Sequence, residues 1–318
     1  MSTAVGTDIP PEAPDAPVSR KKRGTATYVV YGLLAFLVLW AILSFVMAPE
    51  VASIDEFKPQ NEFGLHPWIS LNLGPIDLSI NKAVMYLALS SLIAIIFGLM
   101  VVRRGLKDKP GDGQNILEVA YEFTEETIAR ATLPPKMFQR YFPYVATLFI
   151  FIASNNIISF IPLPGGEHSA IGWVPDLGLY AATANINVTL ALTLCTFLIY
   201  NYEGIREHGP FGYLKTFVPG GDIHPVMKAV VFALELMSNI LRLVSLSVRL
   251  FANLLAGHLL IIMASGFAVL LGSFVGLVAI PFGLFFYFFE LVLIAGLQAF
   301  IFAMLSGIYI GFAVEHGH

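Results

Sequence analysis

The 318-residue chain is 57% hydrophobic and only 13% charged, with a formal net charge of −4. That balance excludes a soluble domain and describes a polytopic membrane protein, whose charge is sorted by loop and has to be read locally. The single cysteine, Cys195, lies in an apolar segment, which excludes a disulfide framework or a cysteine-based metal site within one chain.

Residues 1–27 begin with a Pro-, Ala-, Asp- and Ser-rich stretch that reads as a disordered leader and end in the basic run Arg20-Lys21-Lys22-Arg23. Residues 28–48 are apolar and long enough to span a bilayer. A cleaved signal with a small-residue site at Val51-Ala52-Ser53 is the competing reading; the length of the run favours a retained anchor. A polar, Pro- and Gly-punctuated stretch follows, then a second apolar run from Ala83 to Val102, stopped by Arg103, Arg104, Lys107 and Lys109. Between 114 and 130, Glu118, Glu122 and Glu125 form one helical row and Ile116, Ala120, Phe123 and Thr127 another. That pattern predicts an amphipathic helix on the cytoplasmic surface, its acidic face either solvated or docked to a partner.

A third span is predicted from Tyr141 to Ile161, closed by Pro162-Leu163-Pro164. Its Asn155 and Asn156 are either hydrogen-bonded glue between helices or members of a hydrated path. The fourth span is placed at about 181–200, with Asn185 and Asn187 near its outer end. Of 18 basic residues, only Lys58 and Lys82 lie outside the segments read as cytoplasmic or the two intramembrane arginines. The positive-inside rule then predicts both termini in the cytoplasm and about six membrane passes.

The last two passes, at about 229–270 and 274–312, are too long to cross a bilayer upright. They predict a strongly tilted or partly flat helical hairpin with its corner at Gly272-Ser273 and a kink at Pro281. Residues 229–270 carry Glu235, Asn239, Arg242, Arg249, Asn253 and His258. At about 100° per residue, all but His258 share a stripe of roughly 80°. An arginine inside such a run costs about 2.5–3.5 kcal/mol on insertion scales, and Arg249 lies too far from either end to reach water easily. Charges that snorkel or pair among themselves are the ordinary explanation for such a stripe; intramembrane ionisable groups otherwise signal an ion or proton path. No P-loop, dinucleotide fingerprint, metal-ligand spacing or nucleophile triad is present, so no cofactor, metal or nucleic-acid partner is expected.

Ser245-Leu-Ser-Val-Arg249-Leu-Phe-Ala-Asn253-Leu-Leu-Ala-Gly257-His258, followed by Leu297-Gln298-Ala-Phe-Ile-Phe302, closely resembles subunit a of the membrane sector of rotary ATP synthases. Asn156-Ile-Ile-Ser-Phe-Ile-Pro162 and Ala184-Asn-Ile-Asn187-Val-Thr189 resemble further stretches of that family. The resemblance covers about 75–318, within a domain drawn at 49–318, and makes 28–48 an addition to the five-pass bacterial pattern.

The resemblance implies a non-catalytic stator proton channel; the basic N-terminal anchor and the lack of an Arg- and Ser-rich transit peptide favour a bacterial inner membrane over an organellar one. Its partners would be the c-ring, the peripheral-stalk b subunits and lipid. Arg249 would face the c-ring carboxylate, with Asn253, Asn156 and Gln298 near the external path or rotor face and Ser245 and Arg242 near the rotor and the cytoplasmic path. Glu235 lies about 21 Å before Arg249 along the axis and suits a cytoplasmic half-channel; His258 lies about 14 Å beyond it and suits an external one. Glu290 departs from the pattern: the family's acid or His stands seven residues before the Gln, where this chain has Leu291. An ideal helix turns Glu290 about 80° away from Gln298, so sharing the site requires a bulge near Gly296. A self-contained secondary transporter and a membrane scaffold are the alternatives; the first would be expected to show internal repeats, which are not found.

Overall fold

The computed structural model describes residues 63–65, 67–70, 72–73, 76–77, 79–103, 105, 111–161, 180–218, 224–270 and 272–315. The expected leader and the anchor at 28–48 lie outside these residues. The described chain is helical apart from a small antiparallel ladder, β1 (Asn72–Leu73) with β2 (Ile76–Asp77), flanked by a bridge between Ile69 and Ile80. α1 spans Lys82–Arg103 and α2 spans Asp112–Glu122. α2 continues through a π turn at Phe123–Ala129 to Arg130–Thr132. α3 is Phe138–Ile158, α4 Ile186–His208, α5 Pro210–Thr216, α6 Pro225–Leu270, α7 Gly272–Phe289 and α8 Gly296–Glu315. A second π turn, Glu290–Ala295, joins α7 to α8.

Among the described residues, five helical segments are long and apolar enough to cross a membrane: Lys82–Arg103, Phe138–Ile158, Ile186–His208, Pro225–Ala264 and Pro281–Val314. Two element bounds differ from expectation. α3 begins and ends three residues earlier than the predicted span. α4 starts at Ile186 because Asn185 is its N-cap, the side chain accepting from the Asn187 amide at 2.9 Å, and Ala182–Ala184 form a 3-10 turn instead. Gly209, at φ 73°, makes the corner from α4 to α5, a conformation that costs glycine no steric penalty. Pro210 then opens α5, where its missing N–H is harmless.

The buried residues of the 114–130 helix are distinct from its predicted apolar row. Ile116 and Phe123 are exposed, and Thr124, Ile128 and Ala129 are buried. The π turn from Phe123 adds a residue to the helical period and shifts the phase of the residues that follow it.

α6 runs antiparallel to the α7–α8 rod, because Ala264 meets Gly283, His258 meets Glu290 and Arg242 meets Tyr309 in that order. α6 ends at Leu270 and α7 begins at Gly272, so the expected corner residues Gly272 and Ser273 are the first two of α7. α4 is antiparallel to α6, through Thr189 with Ser247 and Tyr200 with Asn239. One core joins Leu148 and Ile152 of α3, Leu246, Leu250 and Leu254 of α6, and Ala299 and Phe302 of α8. A second seats Ile128 and Ala129 against Val145, Tyr200, Ala303 and Ile310.

The fit between α8 and the end of the α2 segment leaves no room for a side chain at Gly311, where a Cβ would stand 2.7 Å from the Thr132 carbonyl oxygen. At Gly98, on α1, nothing lies within 4 Å. Gly311→Ala is therefore expected to destabilise by about 1–3 kcal/mol, and Gly98→Ala to be neutral or slightly stabilising. The thermal midpoints of the two variants in detergent check this.

Candidate functional site

The polar side chains of α6 divide between two faces. Arg249 and Ser245 point outward among exposed Leu241, Val244 and Val248, and among the described residues Arg249 has no hydrogen bond or ion-pair partner. Asn253 is half-buried. The other arginine is partnered: Arg242 Nη2 lies 3.3 Å from Glu235 Oε1, and its guanidinium sits 5.7 Å from the Tyr309 ring centre. Pairing along the stripe thus accounts for Arg242 and not for Arg249.

Glu235 and Arg242 open onto a cavity of about 140 Å³ at the Pro225 end of the bundle, lined also by Tyr200, Tyr213, Asn239 and Tyr309. That volume holds a few waters. The neighbouring gap among Thr193, Thr196, Leu243 and Leu246 has no space for one. Tyr200 donates to Asn239 Oδ1, Asn239 Nδ2 donates to Asn201 Oδ1 at 3.3 Å, and Tyr213 donates to the same oxygen at 2.9 Å. This network ties α4, α5 and α6 around the cavity. Burial pushes the Tyr213 phenol above its ordinary range, with Asn239 and the Arg242 charge pulling the other way, so it remains a donor at neutral pH. Beyond the cavity, Glu203 is 1% exposed and held by Arg140 at 2.9 Å and Arg206 at 3.5 Å.

Toward the Leu270 end, His258 and Glu290 are each 2% exposed and share a hydrogen bond of 2.7 Å from Nδ1 to Oε1. The π turn supplies the bulge that the spacing of Glu290 demands: one extra residue in the turn lets a carboxylate eight positions before Gln298 approach the azimuth of the seventh. Gly257 supplies the room, since a Cβ there would stand 2.3 Å from the Glu290 carboxyl carbon. His258 Nε2 and Glu290 Oε2 are buried without a protein partner, places where water would complete the bonding. Phe160 packs on the imidazole, with Tyr287 donating to its carbonyl.

Asn156 is fully buried; its Nδ2 donates to the Ala295 carbonyl at 3.1 Å, and its Oδ1 accepts from Thr183 at 2.8 Å. Neighbouring Asn155 accepts from Ser90 at 2.6 Å, as helix-to-helix glue. Gln298 is buried on α8 without a hydrogen bond to the described residues. The structure therefore pairs His258 with Glu290 and Glu235 with Arg242 and ties Asn156 to the end of the π turn that carries Glu290; among the described residues Arg249, Ser245, Asn253 and Gln298 have no hydrogen bond to either pair. Thr183, Tyr200, Asn201, Tyr213, Glu203 and Tyr309 escaped the reading of the sequence. They come from four different elements, and no single helical period relates them. Among the described residues, no group of three or more His, Cys, Asp or Glu could hold a metal ion.

A bundle of apolar helices whose longest member carries, among the described residues, an unpaired arginine midway along its exposed face, a Glu–Arg pair to one side and a histidine paired with a buried glutamate to the other defines a membrane-embedded helical protein built around intramembrane charge. The family described as ATP synthase A chain matches residues 84–311. A subunit a of ATP synthase from Rubrobacter xylanophilus is 34% identical over 265 residues, 80% of this chain and 95% of that protein. The one from Myxococcus xanthus is 36% identical over 249 residues, 77% of this chain and 76% of that protein. The one from Chlorobium phaeobacteroides strain DSM 266 is 31% identical over 271 residues, 83% and 73% respectively. The chain belongs to the ATP synthase subunit a family.

The Tyr200–Asn239 bond is the part of the cavity wall most exposed to test. Asn239→Leu strands a buried hydroxyl and is expected to cost about 1–3 kcal/mol, whereas adding Tyr200→Phe removes the orphan and recovers part of the loss. A double-mutant cycle of thermal stability reads the coupling; strict additivity would contradict it.

Proposed function

We propose that this chain is the non-catalytic stator of a rotary ATP synthase, passing protons through two offset half-channels to and from the carboxylates of a c-ring. The observation that carries the reading is Arg249: an exposed guanidinium on an apolar helix face, with no partner in the described chain. Such a charge is stabilised by an anion that another subunit brings to it. A fixed cation there favours the ionised form of a passing carboxylate and opposes direct proton leakage between the two sides. Ser245 and Asn253 lie along α6 on either side of it and border the rotor.

In this reading protons enter from outside past His258 and Glu290, beside Asn156 and Gln298, and neutralise a ring carboxylate. After rotation they leave through the cavity of Glu235 and Arg242. The water-sized cavity at one level, the buried His258–Glu290 pair at the other and the dry gap beside Leu246 support two paths that do not join inside this chain. Each proton carries about 2.3 kcal/mol per 100 mV of membrane potential into rotation. The chain lies in a bacterial inner membrane with both termini cytoplasmic. Residues 49–318 form the channel domain, 28–48 an additional anchor, the helix from Asp112 a surface element, and α6 with α7–α8 a tilted hairpin. Peripheral-stalk b subunits hold it against the turning ring.

Arg249→Gln tests the reading. ATP-driven proton pumping in inverted vesicles is expected to fall about a hundredfold or more, as loss of a desolvated charge interaction of roughly 3 kcal/mol implies, with the complex still assembled. Arg249→Lys is expected to rescue poorly, for lack of the guanidinium fork. Normal pumping by Arg249→Gln would reduce the chain to a scaffold.

A further inference from the structure

We infer that Thr183 and Asn156 form a clamp that holds the Glu290–Ala295 π turn in place and thereby sets the Glu290 carboxylate against His258. A π turn is a rare winding that persists where surrounding structure over-determines it. Here the determining contacts are explicit. Asn156 donates to the carbonyl of Ala295, the last residue of the turn, and is itself fixed by the Thr183 hydroxyl; both side chains are fully buried. The clamp joins α3, the 3-10 turn at Ala182–Ala184 and the end of the π turn. Neither residue touches His258 or Glu290 by hydrogen bond; both act through the backbone between them.

The geometry explains why a clamp is needed. With eight residues from Glu290 to Gln298, an α-helical wind would place Leu291 at the azimuth of the pair and turn Glu290 about 80° aside. The extra residue of the π turn absorbs that mismatch. Thr183 and Asn156 are thus positioning residues for the external pair, an assignment that rests on the reading of His258 and Glu290 as proton-path groups only for its effect on transport.

Deleting Val292, which is 65% exposed within the turn, leaves Glu290 seven residues before Gln298 and removes the need for a π wind. The test uses assembled complexes in native membranes, in a Cys195→Ser background. Gly257→Cys with Glu290→Cys reports placement directly, because a Cβ at 257 would stand 2.8 Å from Glu290 Cγ and a disulfide can form there. Thr183→Val is expected to lower disulfide yield about fivefold or more, the weight of one buried hydrogen bond, while Thr183→Ser preserves it and deletion of Val292 restores it. In the chain with native Gly257 and Glu290, ATP-driven pumping is expected to follow the same order. An unchanged yield in Thr183→Val, or a loss that deletion of Val292 does not recover, would overturn the clamp. If the deletion prevents assembly, transposition through Glu290→Leu with Leu291→Glu in the Thr183→Val background serves instead: pumping recovers if the turn has relaxed to an α wind and stays lost if it has not. Normal pumping in Arg249→Gln would count against the stator reading alone, since the disulfide yields do not depend on transport.

Discussion

A polar group on an apolar helix must find a partner, because neither lipid nor a packed core offers one. Most of the arrangement around α6 follows from that constraint. Arg242 turns to Glu235 and Tyr309, Asn239 to Tyr200 and Asn201, and His258 to Glu290. Away from α6, Asn155 takes Ser90, Asn156 takes Thr183, and Glu203 takes two arginines. All but Arg242–Glu235 and Arg206–Glu203 cross between elements, so they also bear on how the elements pack. Arg249 stands outside the pattern, on a face that the other described residues leave open.

The ionisable pairs along the inner side of α6, Glu235 with Arg242 and His258 with Glu290, lie at two levels. Leu246, Leu250 and Leu254 occupy the inward face of α6 between the cavity of Glu235 and the pair at His258. Each leucine is almost fully buried, and the gap beside Leu246 is too narrow for water. An aqueous path running straight through the bundle would have to open that core. Arg249 stands on the exposed face of α6, at a position along the helix between the two pairs.

Two π turns do work that regular helix cannot. The one at Phe123–Ala129 rotates the buried side of the surface helix onto Ile128 and Ala129, which meet α3 and α8. The one at Glu290–Ala295 rotates a carboxylate onto a histidine. Both carry one extra residue per turn, and both are flanked by side chains that bond to backbone carbonyls: Thr124 to Ala120 and Thr132 to Ile128 at the first, Asn156 to Ala295 at the second.

Composition and periodicity determined that the chain is helical and membrane-embedded, where its long apolar runs lie, and that a charged stripe marks α6, because hydropathy and a 100° step are local properties. The resemblance to the subunit a family, set against the eight-residue spacing of Glu290 from Gln298, pointed to a bulge. What only the tertiary structure decided is which stripe residues pair and which one does not. It also decided which face of the 112–132 segment is buried, and that Thr183, Tyr200, Asn201 and Tyr213 belong to the polar clusters. Those outcomes depend on contacts between elements tens of residues apart and on π turns that shift the helical phase, and a single helical wheel contains neither.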